Sequence, residues 1–215
     1  MELTVNKRIH QFSEIINRVS LTNIQKEAYA LEEGFKKVIE LLLNCKQQEG
    51  TIYIIGNGGS AAIASHAVID LLNTTDLRAI TLHESAAVTC LSNDYGYERV
   101  YEKQLNKLVR SNDLLIAISS SGKSLNILNA VYTAKIKNAA VITFSGFSAD
   151  NPLRKMGNVN IWLNSNDYGM VEIGHAFILH NITDRLNTKR LMDNCELADE
   201  SQSVSPNKLK DEISV

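Results

Sequence analysis

Two stretches of small residues stand where a chain can grip an anion. Gly56-Asn57-Gly58-Gly59-Ser60 follows the apolar run Ile52-Tyr53-Ile54-Ile55, and Ser119-Ser120-Ser121-Gly122-Lys123-Ser124 follows Leu114-Leu115-Ile116-Ala117-Ile118. Each leads into a segment of helical pattern. The first turn of a helix leaves backbone N–H groups unpaired and carries partial positive charge. Glycines let a phosphate approach the backbone, and serine hydroxyls add donors without bulk. Either loop alone can serve merely to turn a strand into a helix; the two together point to a phosphorylated small molecule. Beyond Ser60 come His66 and Asp70, an i, i+4 pair on one face of the helix that the first loop begins. Glu172 and His180, about two turns apart, lie on broadly one side of a second helix. Two histidines and two carboxylates from two helices can make a four-ligand divalent metal site. His175 projects away from His180 and reads as structural, His10 as solvated, and His83 as sheet-edge packing beside Glu84.

The elements that must position these groups alternate. Apolar strands are expected at 51–55, 78–82, 113–118, 139–144 and 159–163, with helices at about 59–73, 85–92, 97–110, 123–137 and 169–193. Strands apolar throughout and separated by helical patterns imply a parallel sheet covered on both faces. Right-handed crossovers then give a doubly wound α/β fold with five parallel strands, and the ligand at their carboxyl ends. Two amphipathic helices precede the sheet, at 1–20 and 22–45, with a break at Ser20-Leu21-Thr22 that suits a hydroxyl N-cap. They suit an oligomer interface and packing on their own domain equally. One domain over 1–195 is expected, and the polar, aperiodic stretch 196–215 reads as a disordered tail.

Composition narrows the class. With 44% hydrophobic and 21% charged residues the chain is soluble and globular in type. A net charge of −2 without a basic cluster argues against nucleic acid, and no apolar run is long enough for a membrane span. No secretory leader is read at Met1-Glu2-Leu3-Thr4. Cys45, Cys90 and Cys195 are scattered and odd in number, which is reduced, cytoplasmic usage; Cys45 and Cys90 sit in apolar contexts that suit packing. The frames GxxxxGK[ST] and GxGxxG are both absent, which disfavours nucleotide hydrolysis and dinucleotide binding.

Over about residues 1–193 the chain resembles the sugar isomerase (SIS) domain family, of flavodoxin-like fold, and within it the phosphoheptose isomerases. The resemblance is carried by Gly56-Asn57-Gly58-Gly59-Ser60-Ala61-Ala62 with His66 and Asp70, by Leu91-Ser92-Asn93-Asp94-Tyr95-Gly96, and by Ile118-Ser119-Ser120-Ser121-Gly122-Lys123-Ser124. It implies that Ser60, Ser119, Ser120, Ser121 and Ser124 hold a phosphate, with Gly58 and Gly59 beside it. It implies that Asn57, Asn93 and Asp94 contact sugar hydroxyls, with Glu172 also at the substrate. His66 and His180 match metal ligands, Asp70 stands where the family has a ligating, acid–base glutamate, and Glu172 stands where it has a ligating glutamine. Thr74, Gly169 and Met170 also depart from the family pattern. The implied activity is aldose–ketose isomerisation of a phosphosugar, sedoheptulose 7-phosphate, through an enediol. His180 and Asp70 would form the acid–base pair, zinc would be the ion, and a homotetramer the assembly. The other class open to such a chain is a non-catalytic SIS protein that binds a phosphosugar or a protein partner.

Overall fold

The computed structural model describes the backbone of residues 4–203 and the side chains as far as Arg190. Six strands form one sheet: β1 (Ser20–Asn23), β2 (Ile52–Ile55), β3 (Ala79–Thr81), β4 (Leu114–Ser119), β5 (Ala140–Ser145) and β6 (Val159–Trp162). Seven α-helices surround it: α1 (Val5–Asn17), α2 (Leu31–Gln47), α3 (Gly59–Thr74), α4 (Ser85–Tyr95), α5 (Val100–Leu108), α6 (Leu125–Ile136) and α7 (Tyr168–Ser203). The strand order is β1-β6-β5-β4-β2-β3, and every pairing from β6 through to β3 is parallel.

Strands β2 and β4 are buried along their whole length because both faces of the sheet are covered. Period-two alternation divides their side chains between two cores. Ile52, Ile54, Leu114, Ile116 and Ile118 face a core shared with α2, α3 and α7. Tyr53, Ile55, Leu115 and Ala117 face the other, shared with α5 and α6. Each of the large aliphatic side chains among them contributes about 1.5–3 kcal/mol by its removal from water.

The five expected parallel strands are present, and a sixth joins them. Residues 20–23 pair antiparallel with β6, Leu21 opposite Ile161 and Thr22 opposite Asn160. Thr22 therefore caps no helix, and α2 begins at Leu31, later than the apolar periodicity of 22–45 implies. The intervening chain turns back on itself. The Asn23 carboxamide oxygen accepts from the Glu27 N–H at 2.9 Å, Lys26 takes φ +69°, and the Tyr29 N–H donates to the Leu21 carbonyl. An edge strand of four residues carries too few alternations to stand out from a helical stripe. At the other end, α7 continues to Ser203, beyond the Cys195 boundary of the expected domain. Residues 204–215 of the expected tail lie outside the described residues.

His175 is structural, as its position on the helical wheel suggests. It is fully buried on α7, edge-on to Phe144, with Nε2 at 3.1 Å from the Ser145 carbonyl oxygen. Burial pushes its pKa down from 6.5 to about 4. Between those values the unfolded chain binds the additional proton, so stability falls as pH drops through this window. Urea denaturation between pH 7 and 4 is expected to show a loss of about 3 kcal/mol attributable to this group, with a shallower pH slope in His175→Gln.

Candidate active site

The chain leaves β2 and β4, which are neighbours in the sheet, toward helices on opposite faces, so a crevice opens at their carboxyl ends. Both small-residue loops arrive there. Asn57, Gly58, Gly59, Ser60, Ser119, Ser120, Ser121 and Ser124 line one cleft of about 260 Å³, together with Ile118, Tyr168 and Glu172. Gly58 caps α3 at φ +53°, where an added Cβ meets nothing; its requirement is conformational rather than spatial. Gly56 is constrained by space, since a Cβ there stands 2.6 Å from the Ser60 carbonyl.

The loops are held from behind by side chains. The Asn57 and Asn126 carboxamides donate to one another reciprocally at 2.9 and 2.8 Å, and the Tyr97 hydroxyl donates to Asn57 Oδ1 at 2.9 Å. The Tyr101 hydroxyl donates to the Gly56 carbonyl at 2.6 Å, and the Gly56 N–H donates to His83 Nε2. His83 thus touches the loop from its buried side, and burial lowers its pKa. Ser119 and Ser124 hydroxyls lie 3.2 Å apart, while the buried Ser120 hydroxyl has no partner. A buried hydroxyl left unpaired costs about 1–3 kcal/mol, and in a cleft lined by serines a ligand oxygen would recover it.

The second constellation sits farther along α3 and on α7. His66 Nε2 is 3.4 Å and His180 Nδ1 is 3.2 Å from the same Asp70 oxygen, Oδ2. The imidazoles lie T-shaped with centroids 4.9 Å apart, and the three donor atoms all fall within 4.8 Å of one another. Ligands at about 2.0–2.2 Å from a tetrahedral zinc lie some 3.3–3.6 Å apart, so the two carboxylate edges fit such an ion closely. Ala62, Ile63, Ala67, Ala176 and Leu179 complete a pocket of about 320 Å³ around this trio.

Glu172 does not join the trio. Its carboxylate lies over Gly59, where a Cβ would stand 2.3–2.6 Å from its carboxyl atoms, and it faces the serine cleft. The reason is helical rise: eight residues put Glu172 about 12 Å from His180 along α7, while Gly59 is about 10 Å from His66 and about 16 Å from Asp70 along α3. Asn93 and Asp94 are exposed in the last turn of α4, hydrogen-bonded to one another, and neither lines the cleft. Cys45 is buried and its thiol pKa is pushed up to about 11, whereas Cys90 is exposed, with its Sγ 3.6 Å from Asp94, and not packed as its neighbours in sequence suggest. Tyr97, Tyr101 and Asn126 escape sequence reasoning because each acts through long-range hydrogen bonds that leave no periodic trace.

A mostly parallel sheet with paired serine-glycine loops at its switch point and a histidine–carboxylate trio beside them fits a phosphosugar-type α/β domain. Residues 15–146 match the family model of the SIS domain. The chain is 35% identical over 165 residues to a phosphoheptose isomerase of Campylobacter jejuni, a span covering 74% of this chain and 88% of that one. It is 32% identical over 167 residues to that of Helicobacter pylori, covering 75% and 86%. The solved phosphoheptose isomerase of Neisseria gonorrhoeae superposes with a TM-score of 0.70 at 30% identity, covering 85% of this chain and 99% of that one. The chain belongs to the SIS domain family and, within it, groups with the phosphoheptose isomerases.

The Asn57–Asn126 pair yields a test of its own. Ligand affinity measured for Asn57→Ala, Asn126→Ala and the double variant is expected to be non-additive, with a coupling of about 0.5–3 kcal/mol. Additive losses would mean that Asn57 acts on the ligand independently of its partner.

Proposed function

We propose that this protein isomerises sedoheptulose 7-phosphate to an aldoheptose 7-phosphate. It is a phosphosugar aldose–ketose isomerase. The observation that carries the reading is that Ser60 and Glu172 of the serine cleft and the His66–Asp70–His180 trio stand on the same pair of helices, α3 and α7. Ser60 and His66 are separated by about 9 Å of helix axis, a span for a sugar chain with phosphate at one end and carbonyl at the other.

Ser60, Ser119, Ser120, Ser121 and Ser124 hold the phosphate with the N-terminal amides of α3 and α6. Asp70 and His180 form the acid–base pair. One takes the proton from the carbon beside the carbonyl and delivers it to the adjacent carbon through a cis-enediol, while the other moves the proton between the two oxygens. His66, which meets the same Asp70 oxygen as His180, helps to fix the carboxylate. His66 Nε2, His180 Nδ1 and Asp70 Oδ2, the atoms that meet in the structure, would hold a divalent ion, zinc, which when bound supplies Lewis-acid polarisation of the carbonyl; proton transfer is then left to Asp70 Oδ1 and His180 Nε2.

The assembly in this reading is a homotetramer. Ile9 of α1, Ile69 and Leu72 of α3, and Ile173 and Phe177 of α7 are exposed apolar side chains suited to burial against further copies. The compartment is the cytoplasm, in keeping with Cys45 and Cys90 as free thiols. Among the described residues no helix is long and apolar enough to cross a membrane.

Turnover of sedoheptulose 7-phosphate, assayed together with metal analysis of the protein as purified, tests the proposal. His180→Ala is expected to lose bound metal and at least about 100-fold in kcat/KM. A wild-type protein that neither retains a divalent ion nor turns the sugar over after zinc is restored would overturn it in favour of a binding protein.

A further inference from the structure

At the edge of the sheet where the parallel strands begin, opposite the serine cleft, the end of α2, the turn from α3 into β3 and the later turns of α7 enclose a cavity of about 160 Å³. Lys46, Lys189 and Arg190 line it, and among the described residues Asp76 is the one acid in its wall. These charges are not closed on one another. Arg190 stands 3.4 Å and Lys46 4.0 Å from the Asp76 carboxylate, against 2.6 Å for Arg8–Asp167 and 2.7 Å for Arg185–Glu32. Charge-assisted hydrogen bonds close to about 2.7–2.9 Å. Lys189 makes no ion pair among the described residues, and the Arg190 Nε–H is buried with no acceptor among them. The backbone adds to this surplus of donors. Thr75, at φ −127° and ψ −3°, leads into Asp76 at φ +57°. A turn that ends on a left-handed residue aims consecutive N–H groups to one side, a concavity that suits an anion. The Asp76 and Leu77 N–H groups find no acceptor among the described residues.

We propose that this cavity is a second oxyanion site, separate from the serine cleft, which takes a compact dianion of the phosphate type. Such an ion supplies several acceptor oxygens at once to the Arg190 fork, the two ammonium groups and the turn amides. Asp76 is then an internal competitor: it offsets part of the positive charge and is itself held only at long range. The cavity lies about 26 Å along α7 from Glu172, counted to Lys189, so it is no extension of the serine cleft. The turn that ends α3 forms part of its wall and α7 passes it, so an anion here ties together the two helices that carry the His66–Asp70–His180 trio.

Calorimetric titration of the full-length protein in physiological salt tests the site, with inorganic phosphate and glycerol 3-phosphate as probes. The background is Ser121→Asp, which puts a carboxylate into the serine cleft and bars anions from it. In that background Lys189→Gln and Arg190→Gln are each expected to weaken binding about fivefold, the worth of one charge at about 4 Å in water. Asp76→Asn is expected to tighten it about fivefold, because the competing charge goes while asparagine tolerates the left-handed backbone. A folding defect would weaken binding, so tightening cannot arise from one. Stronger binding of the ester, or of the free ion, supports the site and names which of the two it takes. Absence of binding in the Ser121→Asp protein, an affinity left unchanged by Lys189→Gln and Arg190→Gln, or weakening in Asp76→Asn overturns the assignment.

Discussion

The parallel pairing of β2 with β4 is the contact on which the rest of this molecule depends. The two strands are neighbours, yet the chain leaves them toward helices on opposite faces of the sheet, α3 and α6. Their full burial forces an apolar sequence, and that sequence ends abruptly where the strands meet solvent. Each loop beyond must reverse the chain within a few residues and satisfy helix-start amides, and glycine and serine do both. A crevice edged by helix-start amides is thus a geometric by-product of the sheet order, which the loop chemistry refines.

Refinement takes the form of ties between the loops. The Asn57–Asn126 carboxamide pair links the loop after β2 to the first turn of α6. Tyr97, Tyr101 and His83 hold the same loop from the segment between β3 and β4. Separate crossovers therefore converge on one short loop, and the serine-lined cleft is braced without a ligand, which lowers the ordering cost of binding. The trio of His66, Asp70 and His180 is less enclosed: both imidazoles are at least half exposed, and only apolar side chains frame them.

Much of this was legible in the residues. The unbroken aliphatic runs and the serine-glycine loops reveal the parallel sheet and its switch point, because burial on both faces leaves few alternatives. The i, i+4 spacing of His66 and Asp70 reads directly as a shared helical face. Strand β1 was not legible, since its four residues borrow their meaning from β6 across the fold. Nor was the separation of Glu172 from His180. A helical wheel reports direction and discards height, so residues on one side of α7 look like partners while serving different ends of the cleft.

The α3–α7 pair therefore behaves as a ruler with fixed graduations. Adding one residue between Glu172 and His180 would advance the imidazole by about 1.5 Å and swing it by about 100°, out of the site altogether. Backbone insertions cannot retune the distance from the serine loops to the trio; only the reach of the side chains can. Side-chain substitutions can therefore reshape the site without altering a single helical turn.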